Sequence, residues 1–331
     1  MIAPAGRRLG KFEIRQKLGR GGMADVYLAL DGETAQTVAL KLIEHSSDAD
    51  TRDAIEAERR GAELQARLAA IDPHVVRVYQ SGDLDGFFFV AMEFIDGLTL
   101  RELLDLRRTV PLDVALSIAW TVAEALRHAH LHGIIHRDVK PANILISHAG
   151  QVKLLDFGVA RFENQSDLTM PGMVVGTTSY MSAEQAKGEE LDERSDLYSL
   201  ALCAYESLSG RHPFRKDQPE ASLTALLTKT AAPLWRIRPG TPWSVSRLVS
   251  ATLSRDRRRR PRDASEFLSR LDRCLGRAGQ DREAYLAAYM AAVRAGRKFA
   301  SPLPRKGVAL WWYVAVGAVL GLAAGLGAAW R

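Results

Sequence analysis

Residues 134–147 read IIHRDVKPANILIS, a short polar island with apolar runs on both sides. Within it His136, Arg137, Asp138, Lys140 and Asn143 crowd together between strand-like segments, which calls for either a solvated or a chemical reason. Asp138 offers a carboxylate to take the proton from an attacking hydroxyl, or to orient it. Lys140, two residues on, offers a cation to a phosphate in transfer, and Asn143 a neutral oxygen suited to a hard divalent cation. Asp156, in VKLLDFG (152–158), follows a strand-like run and adds a carboxylate for a second metal contact. Each of these alone also reads as a turn residue. Their combination in this order does not.

Upstream, LGRGGMADVYLAL (18–30) sets Gly19, Gly21 and Gly22 between two strands. Without a Cβ, such a turn lets backbone amides approach a polyphosphate, although glycine-rich hairpin turns are common in their own right. Lys41, in VALK (38–41), interrupts an otherwise apolar strand. It reads either as a surface lysine or as an inward one that needs an anion.

The whole chain sets the bounds. Its 331 residues, 47% apolar and 25% charged, have room for a two-lobed body with a sizeable core and do not suit a disordered chain. The net charge of +6 is gathered late, in SRDRRRRPR (254–262) and around Arg294, Arg297, Lys298, Arg305 and Lys306. It lacks the interleaved aromatics of a nucleic-acid surface. Cys203 and Cys274 make neither a disulfide framework nor a zinc site, in keeping with a reducing compartment.

Residues 12–43 carry three strand-like stretches, 51–70 a charged helix, and 75–97 two further strands joined by a turn at Asp85–Gly86. Helical patterning dominates from Leu98 onward. The N-terminus lacks the apolar core of a signal peptide. From Val308 to Trp330 the chain holds no charge, longer than the roughly 20 residues that cross a bilayer core. Trp311, Trp312 and Tyr313 mark one end and Trp330 the other, and the basic residues precede the run while only Arg331 follows. These features predict a tail anchor with residues 1–307 in the cytoplasm.

In GRGGMADV, VALK, MEFIDG, HRDVKPAN, DFG, GTTSYMSAEQ and RSDLYSL, taken in order over roughly residues 12–275, the chain resembles the eukaryotic-like serine/threonine protein kinases of bacteria. The resemblance implies an α+β, two-lobed kinase fold. An N-terminal extension (1–11) would precede a β-rich N-lobe (about 12–95) and a helical C-lobe (about 96–275). A basic juxtamembrane segment (276–307) and one transmembrane helix (308–330) would follow. It implies ATP and Mg²⁺, with Mn²⁺ possible in its place, and protein substrates with Ser or Thr acceptors. Gly19, Gly21 and Gly22 would cover the phosphates, and Leu18, Val26, Ala39 and Leu145 would sandwich the adenine. Met92 would guard the back of the pocket, and the backbones of Glu93 and Ile95 would bond the adenine edge. Lys41 would hold the α- and β-phosphates, Asp138 would be the proton acceptor assisted by Lys140, and Asn143 and Asp156 would bind the metal.

Ala24 stands where the family pattern has its third loop glycine, Ala183 where it has a proline, and Ala201 where it has a glycine. Glu184 is expected to pair with an arginine of the basic run, foremost Arg260. The helical partner of Lys41 stays open between Glu58, preferred because Ile55 and Ala62 flank it at helical spacing, and Glu63, which lies at the family's usual distance before Pro73. Thr169 is the expected autophosphorylation site, with Arg137 to capture its phosphate. Gly317, Gly321 and Gly325 recur at four-residue spacing and would suit a homodimer of anchors. No nucleic-acid partner is expected. The rival reading is a catalytically silent, membrane-tethered scaffold, against which Lys41, Asp138, Asn143 and Asp156 all stand intact.

Overall fold

Alternating side chains in the first ninety residues sort into a sheet whose two faces serve different ends. The computed structural model describes residues 6–20, 24–157, 178–275 and 281–299. Strands β1 (Arg8–Leu9), β2 (Phe12–Arg20), β3 (Asp25–Asp31), β4 (Thr37–Glu44), β5 (Val78–Leu84) and β6 (Phe87–Glu93) form an antiparallel sheet in the order β1-β2-β3-β4-β6-β5. Between β4 and β5 the chain forms helix α1 (Ala49–Ala69), started by Asp48, whose carboxylate accepts from the Thr51 N–H.

On β4, Val38, Leu40 and Leu42 point into one apolar cluster with Phe12, Ile14, Tyr27 and Ala91. Ala39 and Ile43 belong to a second cluster, with Ile55 and Ala62 of α1, Val90 and Met92. Lys41 shares their side of the strand, because side chains alternate with period two. β6 serves both clusters and therefore reads as an unbroken apolar run, FFFVAM. The turn joining β5 to β6 is Asp85–Gly86, both with positive φ (48° and 83°), the conformation that matches strand twist in two-residue hairpins.

The second lobe opens with β7 (Gly97–Thr99), which pairs with β8 (Ile144–Ser147), itself paired with β9 (Val152–Leu154), in a small antiparallel sheet. Helices α2 (Leu100–Arg107) and α3 (Leu112–Leu131) lie between β7 and β8. After β9 come α4 (Ala183–Lys187), α5 (Glu193–Ser209), α6 (Pro219–Thr228), α7 (Leu234–Ile237), α8 (Trp243–Thr252), α9 (Ala264–Leu275) and α10 (Arg282–Arg294). Helix α5 is the axis of this lobe: every residue from Ser195 to Leu208 is buried. Several of its polar groups are correspondingly partnered. Ser199 Oγ donates to the Tyr180 carbonyl, and Glu206 accepts from the Tyr180 hydroxyl and, at 3.0 Å, from Arg101.

Residues up to Arg297 form one compact unit. Helix α10 belongs to it, packed on α3, with Tyr285, Leu286, Tyr289 and Met290 buried. A helix of the body thus occupies part of the stretch 276–307, which the sequence suggests is a connector. The apolar run 308–330 lies outside the described residues, and among those described no helix is long and apolar enough to cross a membrane.

One buried ion pair ties α4 and α5 to the basic run. Arg260 reaches Glu184 in a fork, Nη1 to Oε1 at 2.6 Å and Nη2 to Oε2 at 2.9 Å. Ser195 Oγ donates to the same carboxylate at 2.6 Å. Arg258 and Arg259 of that run are exposed. Burial alone would raise the Glu184 pKa, but the guanidinium and the hydroxyl bring it down to about 2 from an ordinary 4.5. The folded value lies below the unfolded one, so this contribution to stability is complete above the unfolded value and drains away as pH falls toward 2. Arg260→Ala should cost about 3–5 kcal/mol of unfolding free energy at neutral pH. In urea titrations repeated in acid, the gap between variant and wild type should narrow; a constant gap would contradict the assignment.

Candidate active site

The cleft between the lobes is organised around Lys41. In the sheet its backbone lies between Val26 of β3 and Val90 of β6. Its Nζ is 2.6 Å from Glu58 Oε1 on α1 and 3.2 Å from Asp156 Oδ1 beyond β9. Burial opposes the charge on Lys41, but the carboxylates of Asp156 and Glu58 outweigh it and hold its pKa above the usual lysine value. Glu63 is exposed on the same helix. The lysine is thus inward, charged and already neutralised by groups from two elements.

Asp156 itself has φ of +59°, a conformation that costs a non-glycine residue energy and must be held by its surroundings. Gln65, buried on α1, does the holding: its Oε1 accepts from the Asp156 N–H at 3.0 Å while its Nε2 donates to the Val76 carbonyl. Phe157 is buried beside it, with its ring against that of His136 at 4.4 Å between centroids.

The polar island folds into a loop ending in a 3-10 turn, Pro141–Asn143. Asp138 Oδ2 accepts from Lys140 Nζ at 2.7 Å and from Asn143 Nδ2 at 3.1 Å, and Nδ2 also donates to the Asp138 carbonyl at 2.9 Å. Asn143 thereby spends its NH₂ on Asp138, so its side-chain oxygen is what it can offer a cation. The Leu155 N–H donates to the Asn143 carbonyl at 3.0 Å, which sets Asn143 beside the strand that delivers Asp156. A carboxylate and an amide oxygen are a donor pair that suits a hard divalent cation. Among the described residues no group of three or more His, Cys, Asp or Glu side chains gathers as a metal cage.

Asp196 of α5 fixes this loop from below. Its Oδ2 accepts from the His136 N–H and from His130 Nε2, and its Oδ1 from the Arg137 N–H, all at 2.8 Å. Burial would raise the Asp196 pKa, but these donors, His130 foremost, lower it. Arg137 is held at φ +66°, with its carbonyl bound by Gln185 Nε2 at 2.8 Å. His136 is fully buried, and burial lowers its pKa. Its Nδ1 accepts from the Asp138 N–H and its Nε2 donates to the Leu155 carbonyl, which defines the neutral tautomer.

The remaining sequence-derived residues fall around this centre. Ala39 and Leu145 pack on the cluster that contains Met92. Val26 is paired with Gly19 across the sheet, and Leu18 is exposed. Ile95 is half-buried. Glu93 has its N–H bound to the Arg77 carbonyl and its carboxylate to Lys153 at 2.8 Å. Gly21, Gly22 and Thr169 lie outside the described residues. Gln65, His136, Gln185 and Asp196 received no role from the sequence. Gln65 could have been found as the polar residue seven positions after Glu58 on one helix face, whereas Asp196 gave no comparable signal, since Ser195, Ser199, Glu206 and Ser207 are polar on the same helix.

Residues 12–271 match the protein kinase domain family, and the chain belongs to it. Among curated proteins it is 37% identical over 270 residues to the probable serine/threonine-protein kinase PknB of Bifidobacterium longum, a match covering 78% of this chain and 39% of that protein. To serine/threonine-protein kinase PknD of Mycobacterium tuberculosis it is 39% identical over 241 residues, 72% of this chain and 36% of that one. To serine/threonine-protein kinase PrkC of Bacillus subtilis the figures are 33% over 252 residues, 76% and 38%. The matches thus span about two fifths of each relative's length.

The charge pairing at Lys41 can be tested without a substrate. Glu58→Gln removes one of the two anions that raise the Lys41 pKa and leaves Asp156 alone against burial, so amine-selective acylation of Lys41 at mildly alkaline pH should speed up. Glu63→Gln should leave the rate unchanged. Equal rates in the two variants, followed by peptide mass spectrometry, would contradict the pairing.

Proposed function

We propose that the chain is an ATP-dependent serine/threonine protein kinase, which moves the γ-phosphoryl group of ATP to Ser and Thr hydroxyls of proteins, its own included. The observation that carries this reading is the convergence of Lys41, Asp138, Asn143 and Asp156 on one cleft, in a chain of the protein kinase family whose relatives bear serine/threonine-kinase names. A silent scaffold would not need all four.

The chemistry follows from the residues. Leu18, Val26, Ala39 and Leu145 offer apolar surface to the two faces of the adenine, backed by Met92. The N–H of Glu93 is spent on Arg77, so Glu93 can offer the adenine edge only its carbonyl, and Ile95 adds a backbone bond. Gly19, with Gly21 and Gly22, covers the phosphates, and Lys41 orients them. Asn143 and Asp156 would hold Mg²⁺, or Mn²⁺ in its place, which supplies neutralisation of phosphate charge. The acceptor hydroxyl attacks the γ-phosphorus, its proton passes to the Asp138 carboxylate, and the bond to the β-phosphate oxygen breaks to leave ADP. Lys140, 2.7 Å from Asp138, stands where it can offset charge on the group in transfer. Catalysis of this kind is mainly positioning and electrostatics.

Three further parts belong to the reading. The uncharged run 308–330 anchors the chain in a membrane with the kinase domain on the cytoplasmic side. Thr169 is the main autophosphorylation site, with Arg137 as its cation. The glycines at 317, 321 and 325 let two anchors approach as a dimer, which favours phosphorylation in trans.

The purified full chain, given radiolabelled ATP and magnesium, should label itself on Ser and Thr. Asp138→Asn and Lys41→Met should each lower the rate by about 10²–10⁴-fold. Wild-type protein that holds no magnesium-nucleotide would overturn the reading. Deleting 308–330 should move the protein from carbonate-washed membranes to the soluble fraction, and Thr169→Ala should remove the main phosphopeptide.

A further inference from the structure

Helix α10 lies beyond residue 271, where the family match ends, and no part of the proposed chemistry uses it. Its docking is nonetheless specific. Gly150, in the turn between β8 and β9, has φ +89°, and a Cβ built there would lie 2.0 Å from the Glu283 carbonyl oxygen and 2.6 Å from the Ala287 nitrogen. Only glycine allows the backbone of α10 this close. At the other end of the helix, Arg107 Nη2 lies 3.4, 3.3 and 3.2 Å from the carbonyls of Ala292, Val293 and Arg297, capping a helix C-terminus with a cation. Between these ends the buried face of α10 packs on α3, and Arg282 stacks on the Trp120 ring of α3 at 3.5 Å.

Both clamped elements flank the linker between the lobes. The turn that contains Gly150 donates the His148 N–H to the carbonyl of Asp96, at 2.8 Å. Next to Asp96, Gly97 meets β8 so closely that a Cβ would lie 2.1 Å from the Ile146 carbonyl. Arg107 closes α2, the helix into which the linker leads. The same helix therefore grips the turn bonded to the linker's end and the element that continues it.

We propose that α10 is a brace for the linker Glu93–Asp96, with Gly150 and Arg107 as positioning residues that set how its backbone meets the adenine. This rests on the reading of the cleft as an ATP site. Backbone hydrogen bonds to a planar base are directional, so a linker freed to tilt loses nucleotide affinity, while the groups around the γ-phosphate stay where they are.

The test uses the full chain with Gly150→Ala, and with Arg107→Ala, which introduces no backbone strain and carries the test if the first variant does not fold. ATP is varied at fixed magnesium with casein as acceptor, and a fluorescent ADP analogue is titrated in parallel. Each folded variant should raise the KM for ATP and the Kd of the analogue by about 3–10-fold, the worth of a hydrogen bond weakened or lost, with kcat within about twofold. In hydrogen exchange the His148 amide should exchange faster. A lower Tm with kcat reduced in proportion and KM unchanged would mean that α10 only adds stability, and would overturn the proposal, as would wild-type values throughout. Should the wild type bind no nucleotide, the kinase reading fails by itself, and unchanged His148 exchange in Arg107→Ala would still overturn the brace.

Discussion

The loop that carries Asp138 depends on one carboxylate it does not contain. Asp196 sits inside a helix buried on all sides, and its two oxygens take backbone N–H groups from His136 and Arg137 and a ring nitrogen from His130. A buried carboxylate is tolerable only when its acceptor sites are filled. The loop supplies two of the three donors. Each part therefore satisfies the other: without the loop the helix would bury an under-bonded charge, and without the helix Arg137 would have little reason to hold a left-handed conformation. Gln185 adds the complementary bond to the Arg137 carbonyl, so the strained residue is fixed on both sides just before Asp138.

The same economy appears at the other strained position. Asp156 is held through its N–H by Gln65 and through its carboxylate by Lys41, and both partners belong to the first lobe. Helix α1 contributes Glu58 to Lys41 and Gln65 to Asp156, so its rotation about its own axis controls both bonds at once. The apolar cluster of Ile55, Ala62, Val76, Val90 and Met92 sets that rotation. Packing in the first lobe thus determines where a carboxylate of the second lobe points.

Much of the site is legible because its chemistry is local in sequence. The spacing of Asp138, Lys140 and Asn143 lies within one turn and loop, where chain connectivity alone brings the groups together. The choice between Glu58 and Glu63 is different. Five helical residues separate them by about 140° around the axis, so either can face the sheet, and only the docking of the whole helix decides. Glu58, Ala62 and Gln65 share one face, a pattern that becomes informative once Lys41 is known to point inward. The contacts of α10 are less legible still. Tyr285, Leu286, Tyr289 and Met290 do form a stripe, but an alanine-rich basic stretch next to a long apolar run invites reading as a connector, and nothing in that stretch announces that Gly150, well over a hundred residues earlier, leaves room for it.

The formal charges of the cleft have a consequence for what can enter it. Lys41 and Lys140 contribute two positive charges, and Glu58, Asp138 and Asp156 three negative ones, all within the ion pairs described. These five side chains together carry an excess of one negative charge. Taken by themselves they repel an anion and draw a cation. An anion that arrives with its own cation therefore meets less resistance there than one that arrives bare.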